Sequence, residues 1–304
     1  MVKREPYVDC LELSHQGKVR DTYLVPIHDK LLLMVATDAI STHNIVHENM
    51  ITGKGHVLTA LSIFFAMKIM PLNVDNHIVA FGKKIYDYLP KDRTYPEDLH
   101  LRALVIKKLE MIDVEFIWRA YMAGSLWKKY YSKGKPSPYG LTLPPNLLLM
   151  SRFENPIFTP TDKSEDDDPL NNKQIEEDYP KATALSLAVY NAGRKHANKC
   201  GIEIIDFKCE IGKDEDGSLV LGDEWLNGDC CRFVEKDKIV LGQNPPWMDK
   251  EIFRKAAEEQ WGGGAKIPIK FSPEVVEEGI KVYLKVFEIL SKLPLEQFQK
   301  EYLS

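Results

Sequence analysis

The 304-residue sequence has no apolar run near the roughly 20 residues that a bilayer-crossing helix needs; the longest, such as "LLLMVA" at 31–36, fall far short. No helical membrane span is expected. Positive charge is not in excess either, since 40 Lys and Arg face 45 Asp and Glu for a formal net charge of −5. A chain so balanced offers no general grip on a phosphate backbone, so nucleic acid is a poor partner, although a local basic pocket for a small anion stays open. Cysteine is scarce: five thiols with no CxxC pair, two of them the adjacent Cys230 and Cys231. Thiolate metal sites need more Cys or His at suitable spacing, so free cysteines in a reduced, cytoplasmic setting are expected. The N-terminal "MVKREPYVDC" lacks the apolar stretch of a signal peptide, and GxxxxGK[ST], the P-loop, occurs nowhere.

What is present is a hydrophobic content of 44%, enough for a sizeable core in one large or two modest domains. The N-terminal third alternates short β-rich runs ("DTYLVPI", "KLLLMVATD", "HIVAF", "LRALVIKKL") with one apolar helix-like segment, "VLTALSIFFAMKIM", which predicts a curled, largely antiparallel sheet. From about residue 113 the pattern predicts helix, loop, helix, a hairpin, and two closing helical segments. Residues 132–180 are rich in Pro, Asn, Asp and Ser and are expected to be mostly loop. "SPEVVEEGIKVYLKVFEILSK" is a packing helix, with Ser272 as N-cap and Pro273 at its first position.

The stretch with most chemistry in it is "GIEIIDFKCEIG", residues 201–212. Asp206, Lys208 and Glu210 alternate with Ile205, Phe207, Cys209 and Ile211, so on a strand the charges share one face. "GKDEDG" then predicts a turn into "SLVLGDE", which sets Asp223 beside Glu210. A solvated sheet face would look the same. So would a magnesium nucleotide site, because Mg²⁺ takes one or two carboxylates together with phosphate oxygens and water.

Other candidates are equally two-sided. In "GKVRDTY", Lys18 and Arg20 fall on one face of an early strand, either as phosphate-holding cations or as a solvated edge. "EFIWRAYMAGSLWKKY" reads as an amphipathic helix broken at Gly124-Ser125, with Glu115 and Arg119 four apart as an ordinary surface pair. The aromatic company of Trp118, Tyr121 and Trp127 argues that Arg119 is partly buried and needs an anionic partner. Arg232 in "GDCCRFV" could fork onto a carboxylate or phosphate. "TGKGH" reads as a turn, and His43, His47 and His56 as surface or hydrogen-bonded histidines.

Taken in order, "GKVRDTY", "VATDAIST", "VEFIWRAYMAGSLWKKY", "PIFTPTDKSEDD", "IIDFKCEIG" and "LGDEWLNGDCCRFV" resemble the phosphoribosylaminoimidazole-succinocarboxamide synthase, or SAICAR synthetase, family, over about residues 17 to 260. The resemblance implies an α+β, two-lobed, ATP-grasp-like fold with the ATP cleft between the lobes. It implies an N-terminal β-rich nucleotide-binding lobe over 1–112 and a larger α/β lobe over 113–304 that carries most of the substrate and metal site. It also implies an ATP- and Mg²⁺-dependent ligase that joins carboxyaminoimidazole ribonucleotide (CAIR) to L-aspartate through an acyl phosphate. Its partners would be small molecules only, with no nucleic acid and no membrane, in a cytoplasmic monomer or small homo-oligomer.

By motif, the resemblance puts Lys18, Arg20, Lys107, Glu210 and Asp223 at ATP, the last two also at Mg²⁺. It gives catalytic roles to Lys208, Asp206 and Lys163, and puts Ser41, Glu115, Arg119, Ser125, Asp229 and Arg232 at the substrates. Departures from the family pattern fall at Ala39, Asn44, Asp167, Cys230 and Cys231, mostly on the acceptor and imidazole side. They leave open a related ATP-dependent carboxylate-amine ligase with another acceptor, or a non-catalytic nucleotide-binding relative.

Overall fold

The computed structural model describes residues 4–71, 73–164 and 166–304. They form two compact units: unit 1 from Met1–Ala66, His77–Lys108 and Asp249–Ser304, and unit 2 from Met67–Asn76 and Leu109–Met248.

The β-rich runs of unit 1 become β1 (Leu13–Gln16), β2 (Arg20–Leu24), β3 (Leu31–Ala36), β4 (Ala39–Thr42), β5 (Ile45–Met50), β6 (Ile78–Phe81) and β7 (Ala103–Lys107). Five of them make one antiparallel sheet in the order β1-β2-β3-β7-β6. Tyr23 pairs with Leu33, and Leu33 with Val105; all three are fully buried, so one row of cross-strand contacts forms the centre of the unit 1 core. β4 and β5 form a separate hairpin. Its two-residue turn is His43-Asn44, both at positive φ (49° and 64°), the backbone that such tight hairpins require. The apolar helix α1 (Lys54–Lys68) is buried on nearly every side from Val57 to Phe65, as its lack of a polar stripe demands. A single helical turn, α2 (Leu99–Arg102), leads into β7.

Unit 2 contains β8 (Glu110–Met111), β9 (Phe116–Tyr121), β10 (Arg152–Phe158), helices α3 (Asn172–Asp178) and α4 (Pro180–Lys199), then β11 (Ile202–Lys213), β12 (Leu219–Gly222) and β13 (Cys231–Glu235). The predicted strand at 201–212 and its hairpin are present. β11 runs through the middle of the sheet: β9 and β13 flank its first half, and β12 and β8 its second.

One sequence expectation fails here. Residues 116–121 are a strand, not a helix, because Phe116, Trp118 and Ala120 alternate with Ile117, Arg119 and Tyr121; only Leu126–Tyr130 turns helically. The stretch 132–180 is mostly loop, as expected, with β10 and α3 as its main regular elements. β10 lies at the sheet edge, where Pro156 removes no needed ladder bond.

Helix α4 covers the apolar face of β11. Tyr190 and Phe207 stack nearly parallel at 5.7 Å, the Tyr190 hydroxyl donates to the carbonyls of Ile204 and Ile205, and Trp118 Nε1 donates to Ser186 Oγ at 2.8 Å.

Three helices close the chain: α5 (Glu251–Trp261), α6 (Pro273–Ser291) and α7 (Leu295–Tyr302). Ser272 caps α6 by accepting from Val275 N–H, with Pro273 as the first residue. They cluster with unit 1, not with residues 113–248, so the observed units differ from the expected division into 1–112 and 113–304 at 67–76, at 109–112 and at 249–304. The reason for the last is the aromatic contacts. Phe271 packs edge-on to His47 at 4.8 Å and Phe298 to Phe64 at 6.5 Å, while the Leu303 carbonyl accepts from Lys83 N–H at 3.0 Å. No helix among the described residues is long and apolar enough to cross a membrane.

The α5/α6 contact is tight enough to test. A Cβ on Gly279 would lie 2.1 Å from Phe253 Cζ, and Phe253 is fully buried. Gly279→Ala gains about 1 kcal/mol of helix propensity but overpacks a rigid site at a cost of about 1–3 kcal/mol. Urea unfolding should show a net loss of stability, whereas a gain would mean that the two helices separate freely.

Candidate functional site

In an antiparallel pair, residues directly opposite share a face, and β11 has partners on both sides. Asp206 pairs in register with Arg119 of β9 and with Arg232 of β13, so the three side chains meet on one face of the sheet. Arg119 Nη1 lies 2.9 Å and Arg232 Nη1 2.5 Å from the same oxygen, Asp206 Oδ2. Arg119 is only 4% exposed; its Nε donates to Thr159 Oγ1 and its Nη2 to Ser125 Oγ. Gly124, at φ +59°, backs onto both guanidiniums, for a Cβ there would stand 2.6 Å from Arg232 Nη1 and 3.1 Å from Arg119 Nη1. Only glycine combines that φ with that approach. The Arg232 guanidinium also lies 6.0 Å from the Trp247 ring centre. Two guanidiniums converging on one carboxylate oxygen present a cluster of N–H donors, a suitable seat for a phosphate or carboxylate.

Two residues on, Lys208 Nζ lies 2.5 Å from Glu115 Oε1, while Glu115 Oε2 accepts from the Thr161 hydroxyl at 2.7 Å. The expected helical pair Glu115–Arg119 therefore does not exist, because on a strand each faces a different residue of β11. Burial by itself would lower the Lys208 pKa, but Glu115, then Glu210 and Asp223, outweigh it and hold the ammonium above its usual value. Glu210, next on the same face, pairs through Oε2 with Lys163 Nζ at 2.7 Å. Glu210 lies opposite Gly222 in the ladder, and Asp223 follows directly with a left-handed φ of 54°. Asp229 is buried in the turn before β13, its N–H donating to Asn227 Oδ1.

These two acids suit a hard cation. Among the described residues no group of three or more His, Cys, Asp or Glu could hold a metal ion. Two carboxylates are what Mg²⁺ asks of a protein when phosphate oxygens and water complete its shell.

The departure residue Cys231 is opposite Phe207, on the apolar face of β11 and away from the charges. Burial raises the thiol pKa of both Cys231 and Cys209, and all five cysteines are free.

Four candidates lie in unit 1. Lys18 is not on a strand face: it sits in the β1–β2 turn, closed by Gly17 N–H donating to the Arg20 carbonyl, and its ammonium donates to Asn44 Oδ1 at 2.6 Å. Arg20 opens β2, Lys107 ends β7, and Ser41 is buried in β4. Sequence reasoning missed the charged network beside them. Arg102, 5% exposed, reaches Asp38 at 3.1 Å and Asp98 at 2.8 Å, and Asp38 Oδ1 also accepts from Gly55 N–H. "TGKGH" turns at Thr52-Gly53, as expected, and then opens α1 at Lys54, which is fully buried with its ammonium 6.0 Å from the Tyr283 ring centre. Spacing could have shown only Asp98, four residues before Arg102; Asp38 and Tyr283 are distant in sequence from the cations they meet.

His56 bonds to Asp98 at 2.9 Å. His47 is buried against Trp261 and Phe271, takes Ile269 N–H on Nδ1, and so places its proton on Nε2, 2.7 Å from Thr42 Oγ1. Burial, then the neighbouring His43, lowers its pKa from 6.5 to about 4. Its proton is taken up more readily by the unfolded chain, so stability is full above pH 6.5 and falls as pH drops toward 4. Between pH 7.5 and 5 the loss should be about 2 kcal/mol in urea unfolding, and His47→Gln should flatten the slope by that amount. An unaltered slope would place the titration elsewhere.

The SAICAR synthetase family model matches residues 13–268. The chain belongs to the SAICAR synthetase family. The phosphoribosylaminoimidazole-succinocarboxamide synthase of Neisseria meningitidis serogroup B is 35% identical over 285 residues, covering 91% of this chain and 96% of that protein. The synthase of that name from Pasteurella multocida is 36% identical over 295 residues, covering 93% and 98%. A solved SAICAR synthase from Saccharomyces cerevisiae, complexed with SAICAR, superposes with a TM-score of 0.83 at 32% identity over 96% of this chain and 99% of its own. The family's α+β fold is thus the fold of this chain, with mixed helices and antiparallel sheets in both units.

Proposed function

We propose that the charged face of β11, with its partners on β9 and β13, is where this ligase does its chemistry. Family membership makes the chain an ATP-dependent ligase of purine biosynthesis that forms SAICAR. The observation that carries the proposal is the row Asp206, Lys208, Glu210, in which a doubly arginine-bound carboxylate stands beside a lysine and a candidate metal ligand.

A carboxylate is a poor electrophile. In the proposed course a carboxylate oxygen of CAIR attacks the γ-phosphorus of ATP, the bond to ADP breaks, and an acyl phosphate results. The amine of L-aspartate then attacks the acyl carbon, loses a proton, and phosphate leaves with one former carboxylate oxygen. No side chain need act as nucleophile, because phosphoryl transfer rests on positioning and charge neutralisation. Arg119, Ser125 and Arg232 hold the ribonucleotide's anionic groups, with Asp206 and Asp229 fixing their geometry. Lys208, kept protonated by Glu115, faces the phosphoryl group in transfer, and Lys163 assists it. Glu210 and Asp223 would hold Mg²⁺, which supplies neutralisation of phosphate charge when bound. Lys18, Arg20 and Lys107 serve ATP, and Ser41 and Glu115 the substrate side. The enzyme works on small molecules in the cytoplasm, as a monomer or small homo-oligomer.

The test is incubation with ATP, Mg²⁺, CAIR and L-aspartate, following ADP and the succinocarboxamide. Stoichiometric formation of both supports the reading. Turnover only with a different amine would transfer it to another acceptor, in line with Ala39 and Asn44, and no turnover with any amine would overturn it.

A further inference from the structure

One contact on this face has no place in the reaction course above: the ion pair of Lys163 with Glu210. Both members are half-buried, 24% and 19% exposed, so water and salt screen the pair less than a surface one. Glu115 already has Lys208, which leaves Glu210 as the carboxylate to which Lys163 is given.

The residues on either side of Lys163 are held by hydrogen bonds. Thr161 exchanges both backbone hydrogen bonds with Glu115, at 2.8 and 3.3 Å, and its hydroxyl holds the Glu115 carboxylate. Asp162 donates from its N–H to the Asp168 carbonyl at 2.9 Å, and its Oδ1 accepts from Ser164 and Asp168 N–H, both at 3.0 Å. Lys163 is thus set between an anchor at Glu115 and a closed turn, with its ammonium on the carboxylate where a divalent cation is to bind.

We propose that Lys163 is a placeholder for that cation: it neutralises Glu210 in the nucleotide-free protein and gives way when metal and nucleotide arrive. A single charge on a flexible stem is readily outcompeted by a doubly charged ion with phosphate oxygens behind it. Once displaced, the ammonium is beside the incoming phosphates and pairs with them. Lys163 therefore weakens the binding of metal alone and strengthens that of metal nucleotide. The inference rests on Glu210 being a metal ligand.

The test uses the full-length protein without nucleotide and Mn²⁺ as probe, with bound metal read from the loss of the free-ion EPR signal. Lys163→Met should bind Mn²⁺ about tenfold tighter than wild type, Lys163→Arg should bind it as wild type does, and Glu210→Gln should lose it. With ATP present the order should reverse, Lys163→Met binding the nucleotide more weakly than wild type. A mere loosening of the loop would weaken both. Unchanged or weaker Mn²⁺ binding by Lys163→Met, with Glu210→Gln still deficient, would overturn the placeholder and leave Glu210 as a ligand. Undiminished binding by Glu210→Gln would overturn both.

Discussion

Glu210→Gln is expected to lower turnover about 10³-fold while leaving the protein folded. The substitution keeps the size and backbone of the residue, and the ladder bonds between β11 and β12 around Glu210 and Gly222 do not involve its side chain. What it removes is one of two anionic oxygen donors and the partner of Lys163. Losing one preorganised electrostatic element in a transfer that depends on charge neutralisation typically costs 10²–10³ in rate, and here metal occupancy falls too. Steady-state kinetics at saturating substrates, beside a melting curve, checks it. Activity within tenfold of wild type would remove Glu210 from the site.

Asp206→Asn should act chiefly on stability. Arg119 and Arg232 both converge on Asp206 Oδ2, and Arg119 is buried against Thr159 and Ser125. The isosteric amide removes the negative charge that the two guanidiniums share. Breaking a buried pair from one side costs about 3–5 kcal/mol, mostly because the remaining charge stays desolvated. The variant should therefore unfold at lower urea by an amount near the lower end of that range, since Arg232 is partly open to water. Inorganic phosphate should restore more stability to it than to wild type, because an anion then supplies the missing charge. A change below about 0.5 kcal/mol, or no extra response to phosphate, would mean that Asp206 does not organise the arginines.

Much of this face was legible beforehand, for a physical reason. Along β11 the period-two alternation of Asp206, Lys208 and Glu210 with apolar residues needs only local geometry, and the turn residues of "GKDEDG" announce the partner strand. The stretch at 115–130 misled because its later half, rich in Ala, Met, Leu and Lys, carries helix propensity, while the earlier half obeys its neighbours in the sheet. The attachment of residues 249–304 was illegible, since nothing within a helix says which surface its apolar face will find. The same holds for Lys163 with Glu210 and Arg102 with Asp38, pairs that exist only through the tertiary fold.

The proposed chemistry requires ATP to activate the carboxylate on this face before the amine attacks. The most direct measurement uses CAIR labelled with ¹⁸O in its carboxylate, with ATP and L-aspartate, and reads the released phosphate by ³¹P NMR. One ¹⁸O per phosphate, together with ADP, is the predicted result. Unlabelled phosphate, or release of AMP and pyrophosphate, would contradict it.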